Sequence, residues 1–139
     1  EISGSVDFRS DLVLWEAADG LYSLNLATGV RENVSELINA NSWRLNSSFS
    51  NLQRYEGDFT RWNDWVIYKA ASGIFGFHLR KHEARPILLP LLDQDVRVTY
   101  RYPVALSGGQ LIVTGLESSS GSVWADGPLY RVDLNAVLQ

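Results

Sequence analysis

Residues 11–26 read DLVLWEAADGLYSLNL, and residues 64–79 read DWVIYKAASGIFGFHL. The two stretches align without a gap, and six of their sixteen positions are identical. Most of the other positions pair residues of one kind, such as Trp15 with Tyr68 and Tyr22 with Phe75. A duplication of this length indicates a chain assembled from repeated structural units.

Each copy predicts a β-hairpin. A short apolar run of strand type comes first, and an Ala-Ala-Asp-Gly or Ala-Ala-Ser-Gly turn follows, with glycine where a positive φ is needed. The residues after the turn alternate, which puts Leu21 and Ser23 on one face and Tyr22 and Leu24 on the other. This period of two is typical of a strand.

A third, looser copy is predicted near the end of the chain. Residues 111–114, LIVT, match the first strand, and residues 127–134, GPLYRVDL, match the second. Between them we expect a longer loop at residues 115–126. Lead-in strands are predicted at residues 6–8, 58–62 and 96–104, and trailing strands at residues 31–37 and 84–89. Each unit then has three or four antiparallel strands, and the chain is all-β.

The segments DGLYSLNLATG and DGPLYRVDL resemble the strand pair of WD40-like, PQQ-like and TolB-like β-propeller repeats. The resemblance implies three propeller-blade-like repeats in one domain, residues 1–139, and a platform that binds through its loops. The repeats span about residues 6–37, 58–90 and 96–138, with a polar connection at residues 39–57.

Closed propellers usually have four to eight blades, so the expected arrangement is open or incomplete. Three versions remain: an unclosed stack of sheets, a ring that several chains complete by self-association, and a piece cut from a longer protein.

The composition excludes several classes of protein. The chain has 139 residues, a formal net charge of −4, no Cys and no Met. It lacks the basic stripe of a nucleic-acid binder and has no thiols for disulfides or metal sites. No apolar run approaches the ~20 residues of a membrane helix. Because Met is absent, Glu1 is not a natural start, and we expect a removed signal or anchor and a periplasmic or extracellular location.

The sequence predicts no enzyme, cofactor or metal site. If the segment of His78 and His82 is a strand, the two histidines are about 13 Å apart, too far to share one metal ion. The close carboxylates Asp93 and Asp95 lie in turn-rich sequence, where Asp commonly bends the chain. No phosphate-binding or nucleophile motif occurs.

Four residues of the two repeats are interpreted as structural. Asp11 and Asp64 occupy the same repeat position just before a strand, and the propeller resemblance implies a turn or blade-bridging role for them. Trp15 and Trp65 lie within repeat strands and are predicted to be core residues.

The remaining aromatic residues are candidates for a partner-binding surface, because a Trp in a loop often marks a contact. Covering the open end of a sheet is the alternative role. Trp124, in the predicted loop at residues 115–126, is the expected anchor. The candidate residues are Trp124, Asp126, Glu117, Ser119, Trp62, Arg61, Trp43 and Tyr55.

The first functional hypothesis is a non-catalytic protein-binding module, an inhibitor or immunity-like protein that blocks a secreted toxin or enzyme with its loops. The alternatives are a periplasmic sensor or assembly domain of a bacterial regulator or lipoprotein, and a glycan-binding module. The expected partner is a protein, with self-association as a further expectation and no nucleic acid or membrane span.

Overall fold

The two copies of the repeated stretch fold as hairpins of the same register. Ala17 pairs with Gly20 in the first hairpin, and Ala70 pairs with Gly73 in the second. The computed structural model describes residues 2–7, 11–41, 59–70, 73–88, 91–92, 97–100, 104–118 and 125–138. Within these residues the strands form three antiparallel sheets, which confirms the predicted antiparallel β class.

Sheet 1 has the strand order β1-β2-β3-β4 and is followed by a helix. Its elements are β1 (Ile2–Asp7), β2 (Leu12–Ala17), β3 (Gly20–Asn25), β4 (Arg31–Asn33) and α1 (Val34–Asn41). The trailing strand predicted at residues 31–37 is therefore too long. Asn33 stops it, because its Oδ1 accepts a hydrogen bond from the Glu36 N–H at 3.1 Å and so caps α1.

Sheet 2 repeats this pattern with the strand order β5-β6-β7-β8. Its strands are β5 (Phe59–Trp62), β6 (Trp65–Ala70), β7 (Gly73–His78) and β8 (Glu83–Leu88). Residues 79–82 form a turn rather than the continued strand that we expected beyond His78.

Sheet 3 is built around the long strand β12, which pairs with β13 on one side and with β10 and β11 on the other. Its elements are β9 (Leu91–Leu92), β10 (Arg97–Tyr100), β11 (Val104–Leu106), β12 (Gln110–Ser118), β13 (Ala125–Asp133) and the closing helix α2 (Leu134–Val137).

The loop predicted at residues 115–126 is wrong in its extent. The hairpin continues past a bulge, so that Leu116 pairs with Asp126, and Glu117 pairs with Ala125. Gly115 lies at the bulge because a Cβ there would come within 3.0 Å of the Tyr130 ring. A close approach of the chain, rather than a loop, explains this glycine.

The sheets stack in the order 1-2-3, and sheet 2 is buried on both faces. Alternate residues of β6 and β7 point to opposite sides. One side joins a core with sheet 1 and α1, and the other joins a core with sheet 3 and α2. The first core includes Leu12, Leu14, Leu21, Val34, Ile38, Val66, Tyr68, Phe75 and Phe77. The second includes Trp65, Ile67, Ile74, Leu111, Val113, Leu134 and Leu138.

The two predicted core tryptophans differ. Trp65 is 6% exposed within the second core, as predicted. Trp15 is only half-buried, because it lies on the side of sheet 1 that faces away from sheet 2. There it stacks on Tyr22 with 5.8 Å between ring centroids.

Candidate functional site

Asp11 and Asp64 hold equivalent places at one end of sheets 1 and 2. The Asp11 carbonyl accepts a hydrogen bond from the Leu26 N–H at 2.7 Å, and the Asp64 carbonyl accepts one from the Leu79 N–H at 2.8 Å. We call this end, with the turns at residues 26–30 and 79–82, the turn end. The shared backbone geometry brings both carboxylates to the same end of neighbouring sheets.

Arg80 joins these two carboxylates across the sheets. Its Nε donates to Asp64 Oδ2 at 2.8 Å, and its Nη2 donates to Asp11 Oδ1. The Arg80 guanidinium holds the pKa of Asp11 below its usual value. The bridging role expected for the repeated Asp is therefore confirmed.

Arg61 was predicted to bind a partner, and that prediction is wrong. Arg61 pairs with Val66 in sheet 2 and points towards sheet 1. Its side chain is fully buried, and it donates to the Leu12 carbonyl at 2.7 Å and to the Asn63 carbonyl at 2.8 Å. Asp64 Oδ1 lies 3.8 Å from its Nη2. Arg61 thus links the two sheets from inside.

A cleft of about 290 Å³ opens between sheets 1 and 2 at the turn end. Leu12, Leu79 and Val30 provide its apolar walls. Its polar lining consists of Ser23, Asn25, Thr28, Glu32, Arg80 and His82. Glu32 Oε2 and His82 Nε2 lie 3.2 Å apart and connect the two sheets on one side of the cleft.

The two turns have similar backbone hydrogen bonds, and His82 occupies the position that Gly29 holds in the first turn. Gly29 donates its N–H to the Asn25 carbonyl, and His82 donates its N–H to the His78 carbonyl. Both residues have a positive φ, 74° for Gly29 and 54° for His82. The second turn therefore carries an imidazole where the first carries glycine, at a φ that side chains seldom adopt. The ring stacks on Phe77, with 6.0 Å between centroids.

His78 fixes the second turn through its ring. Its Nδ1 accepts hydrogen bonds from the N–H groups of Arg80 at 3.2 Å and Lys81 at 3.0 Å. Asn25 Oδ1 does the same in the first turn, accepting from Ala27 and Thr28. Only an unprotonated Nδ1 can accept, and burial lowers the pKa of His78 below its usual value of 6.5 despite the attraction of Asp64.

This geometry predicts that His78 contributes to a pH dependence of stability. Because the folded state prefers the neutral ring, the stabilisation is complete above about pH 6.5 and is lost as the pH falls through the lower folded pKa. The test uses the His82→Gly background, in which His78 is the remaining one of two histidines.

Urea unfolding at pH 7.5 and 5.0 measures the effect. His78→Asn places in the second turn the residue type that Asn25 provides in the first, so we expect the turn to be kept. We also expect this variant to lose less stability at acid pH than the His82→Gly parent. Equal losses of stability in parent and double variant between the two pH values would contradict the assignment.

Of the other predicted partner-binding residues, the described structure brings Glu117 and Asp126 close together on paired strands and places Trp62 elsewhere. Trp62 lies half-buried in β5 and packs against the second core, beside Gly109, which fits the covering role. Glu117 and Asp126 lie on β12 and β13, near the hairpin tip and at the opposite end of the sheets from the cleft. Trp43, Tyr55, Ser119 and Trp124 lie outside the described residues and stay predictions.

Sequence reasoning missed the cleft residues Glu32, Arg80 and His82. The available signal was the Asp repeated at positions 11 and 64 together with the basic cluster that begins at Arg80. Among the described residues, no three His, Asp or Glu side chains converge as metal ligands. In the same part of the chain, no helix has the length and apolar character needed to cross a membrane.

No protein-family model and no curated protein matches the chain. Two solved structures are similar to it: the N-terminal domain of Nup159, and a S. cerevisiae structure of Dbp5 bound to Nup159, Gle1, IP6 and ADP. The identities are 13% and 12%, and both TM-scores are 0.40. The likenesses cover 95% and 96% of this chain but only 31% and 32% of the others. The chain thus spans about a third of their length, and they assign it no function.

Proposed function

We propose that the chain is a non-catalytic protein-binding module, and that its sheets are consecutive blades of an open, propeller-like array. The partner docks on the turn end of sheets 1 and 2. The observation that carries this proposal is the polar cleft between the sheets, flanked by Leu26 and Val30, whose side chains are 59% and 53% exposed.

The size of the cleft favours a protein over a small ligand. Small-molecule sites usually measure about 300–1,000 Å³ and enclose most of the ligand. A cleft of about 290 Å³ lies at the lower limit of that range and has room for roughly one side chain. A partner protein can fill it with a single residue and rest the surrounding surface on the two turns.

The rim has the composition of an interface. Leu26 and Val30 belong to one turn and offer adjoining apolar surface, while Lys81 and Arg80 supply charge on the neighbouring turn. Protein interfaces usually have an apolar contact area with polar groups at its margin. The polar cleft then orients the inserted side chain.

His82 is the cleft residue expected to contribute most to binding of the partner. A positive φ disfavours side chains, and Gly29 shows that the turn forms without one. The imidazole nevertheless forms a wall of the cleft and touches Glu32. A role in recognition gives a reason for keeping a ring at this position.

We therefore expect His82→Gly to weaken partner binding at least about tenfold, about 1.4 kcal/mol, while the chain stays folded. A photo-cross-linking residue at Thr28, on the turn end, identifies the partner in cells of the source organism. The same residue at Ala18, which is exposed in the β2–β3 turn at the opposite end, is the control.

The expected result is one discrete cross-linked protein at Thr28, reduced by His82→Gly, and none at Ala18. A partner captured from Ala18 alone, or a Thr28 yield that His82→Gly does not change, overturns the turn-end proposal. Inhibition of a secreted toxin or enzyme is its narrower form, tested by assaying the captured protein with and without the chain.

A further inference from the structure

Ser23 brings a buried hydroxyl group without a partner to the cleft at the turn end. Ser23 is 4% exposed, and among the residues that the structure describes its hydroxyl forms no hydrogen bond. Buried hydroxyl groups are usually hydrogen-bonded, because removing one from water without a new partner costs free energy. Since Ser23 lines the cleft, a group that enters the cleft can supply this partner.

Glu32 places a carboxylate beside this hydroxyl group. Ser23 pairs directly with Glu32 in the register of β3 and β4, so the two side chains lie on the same face of sheet 1. Directly opposite residues of an antiparallel pair have Cβ atoms roughly 4.5–5.5 Å apart. Both residues line the cleft. One hydrogen-bonding group in the cleft can therefore contact both side chains.

The other polar oxygens of the lining are used within the chain. Asn25 Oδ1 accepts two hydrogen bonds from backbone N–H groups of its own turn, and Thr28 Oγ1 accepts one. His82 Nε2 lies 3.2 Å from Glu32 Oε2, which leaves the second oxygen of this carboxylate for an entering group. The main acceptors offered to that group are thus the Ser23 hydroxyl and the Glu32 carboxylate.

The fixed charges around the cleft favour a cation. Arg80 and the buried Arg61 are balanced by the carboxylates of Asp11 and Asp64, with which they form ion pairs. These four groups together carry no net charge. Among the described lining residues, Glu32 then keeps an unbalanced negative charge while the imidazole beside it is neutral. An entering ammonium group is attracted to Glu32, and an entering carboxylate is repelled.

The apolar walls of the cleft fit the stem of a lysine side chain. Leu12 and Leu79, each 5% exposed, and Val30 at the rim surround the polar groups. Lysine has a flexible four-carbon stem and an ammonium group with three donors. Such a stem contacts apolar surface while the ammonium group reaches polar partners. The cleft volume of about 290 Å³ is enough for one such side chain.

We propose that the cleft binds a lysine side chain of the partner protein, with its ammonium group hydrogen-bonded to the Ser23 hydroxyl and the Glu32 carboxylate. The inference rests on the proposed docking of a partner at the turn end, and it names the side chain that enters the cleft. An acidic side chain would meet Glu32 as a like charge. An uncharged one would cover Glu32 without balancing its charge. Lysine supplies both a donor for each acceptor and the opposite charge.

Two short peptides test this recognition on the chain itself. The probe is acetyl-Gly-Lys-Gly-amide, and the matched control replaces its lysine by norleucine, which keeps the four-carbon stem and lacks the ammonium group. Each peptide is titrated to about 50 mM at neutral pH and constant ionic strength, a range that detects millimolar affinity. The backbone amide shifts of Ser23 and Glu32 are followed by NMR. We expect saturable shifts with the lysine peptide and at least about tenfold weaker binding of the norleucine peptide.

Variants of the two acceptors locate the ammonium group. Glu32→Gln removes the charge but keeps the shape of the side chain, and it is expected to weaken binding of the lysine peptide at least about fivefold. Ser23→Ala removes the hydroxyl group and is expected to weaken binding about threefold. Glu36→Gln removes a carboxylate from the exposed surface of α1 outside the cleft lining, so it is the control expected to leave the affinity unchanged.

Equal affinities of the two peptides overturn the inference, as does the absence of saturable shifts up to the highest concentration. An effect of Glu36→Gln as large as that of Glu32→Gln also overturns it, because the attraction would then belong to the overall charge of the chain. The docking of a partner at the turn end is tested separately. Cross-linking at Thr28 and its reduction by His82→Gly do not depend on which side chain enters the cleft.

Discussion

Replacing Arg61 by Met is expected to lower the free energy of unfolding by about 2–4 kcal/mol, because hydrogen bonds to a buried charged group are worth about 1.5–3 kcal/mol and a buried partner left unpaired adds to the loss. Met keeps an unbranched side chain as far as the position of the Arg Nε, but it donates no hydrogen bond. The Leu12 carbonyl of sheet 1 then loses its donor at 2.7 Å, and the Asn63 carbonyl loses its donor at 2.8 Å.

Urea unfolding near neutral pH measures the change, and Arg131→Met is the matched control. Arg131 is exposed on sheet 3, so the same exchange there is expected to alter stability by about 0.5 kcal/mol or less. Equal effects at the two positions would contradict the buried linking role of Arg61. The comparison separates the loss of a buried donor from the general effect of losing a positive charge.

The second large effect is expected at Phe77, where Phe77→Ala costs about 3–5 kcal/mol by leaving a cavity in the first core. Phe77 has 0% exposure and lies between sheets 1 and 2. Leu24 holds the equivalent position in sheet 1 but is only half-buried. Leu24→Ala is therefore expected to cost about 1 kcal/mol, since less apolar surface leaves water there.

Both variants are compared with the unchanged chain by urea unfolding near neutral pH. A similar loss for Leu24→Ala and Phe77→Ala would contradict the placement of the first core between sheets 1 and 2.

The hairpins could be predicted from the sequence because their determinants are local. Alternation of residues such as Leu21 and Tyr22 sets which side chains share a face, and the glycine of each turn sets where the strands reverse. The same local reasoning missed Gly115, because a bulge glycine and a loop glycine look alike in sequence. It also missed the end of β4, where the cap provided by Asn33 competes with continued strand.

The candidate site could not be predicted, because it depends on how separate sheets meet. Arg80 reaches Asp11 across 69 residues of sequence, and Arg61 reaches Leu12 across 49. Nothing near Arg61 in the chain shows that its side of β5 faces another sheet. The aromatic side chains favoured as contacts also depended on an assumed loop, whereas the described cleft is built from turns, carboxylates and a histidine.

Sheet 2 is buried on both faces, so one of its faces is exposed to water for a time while the chain is being synthesised. When β8 has left the ribosome, sheets 1 and 2 can close the first core, but Trp65, Ile67 and Ile74 still face water because β12 and α2 are not yet made. At roughly 5–20 residues per second this interval lasts on the order of several seconds. During that time the nascent chain presents a bare aromatic and aliphatic face to chaperones and to neighbouring polypeptides.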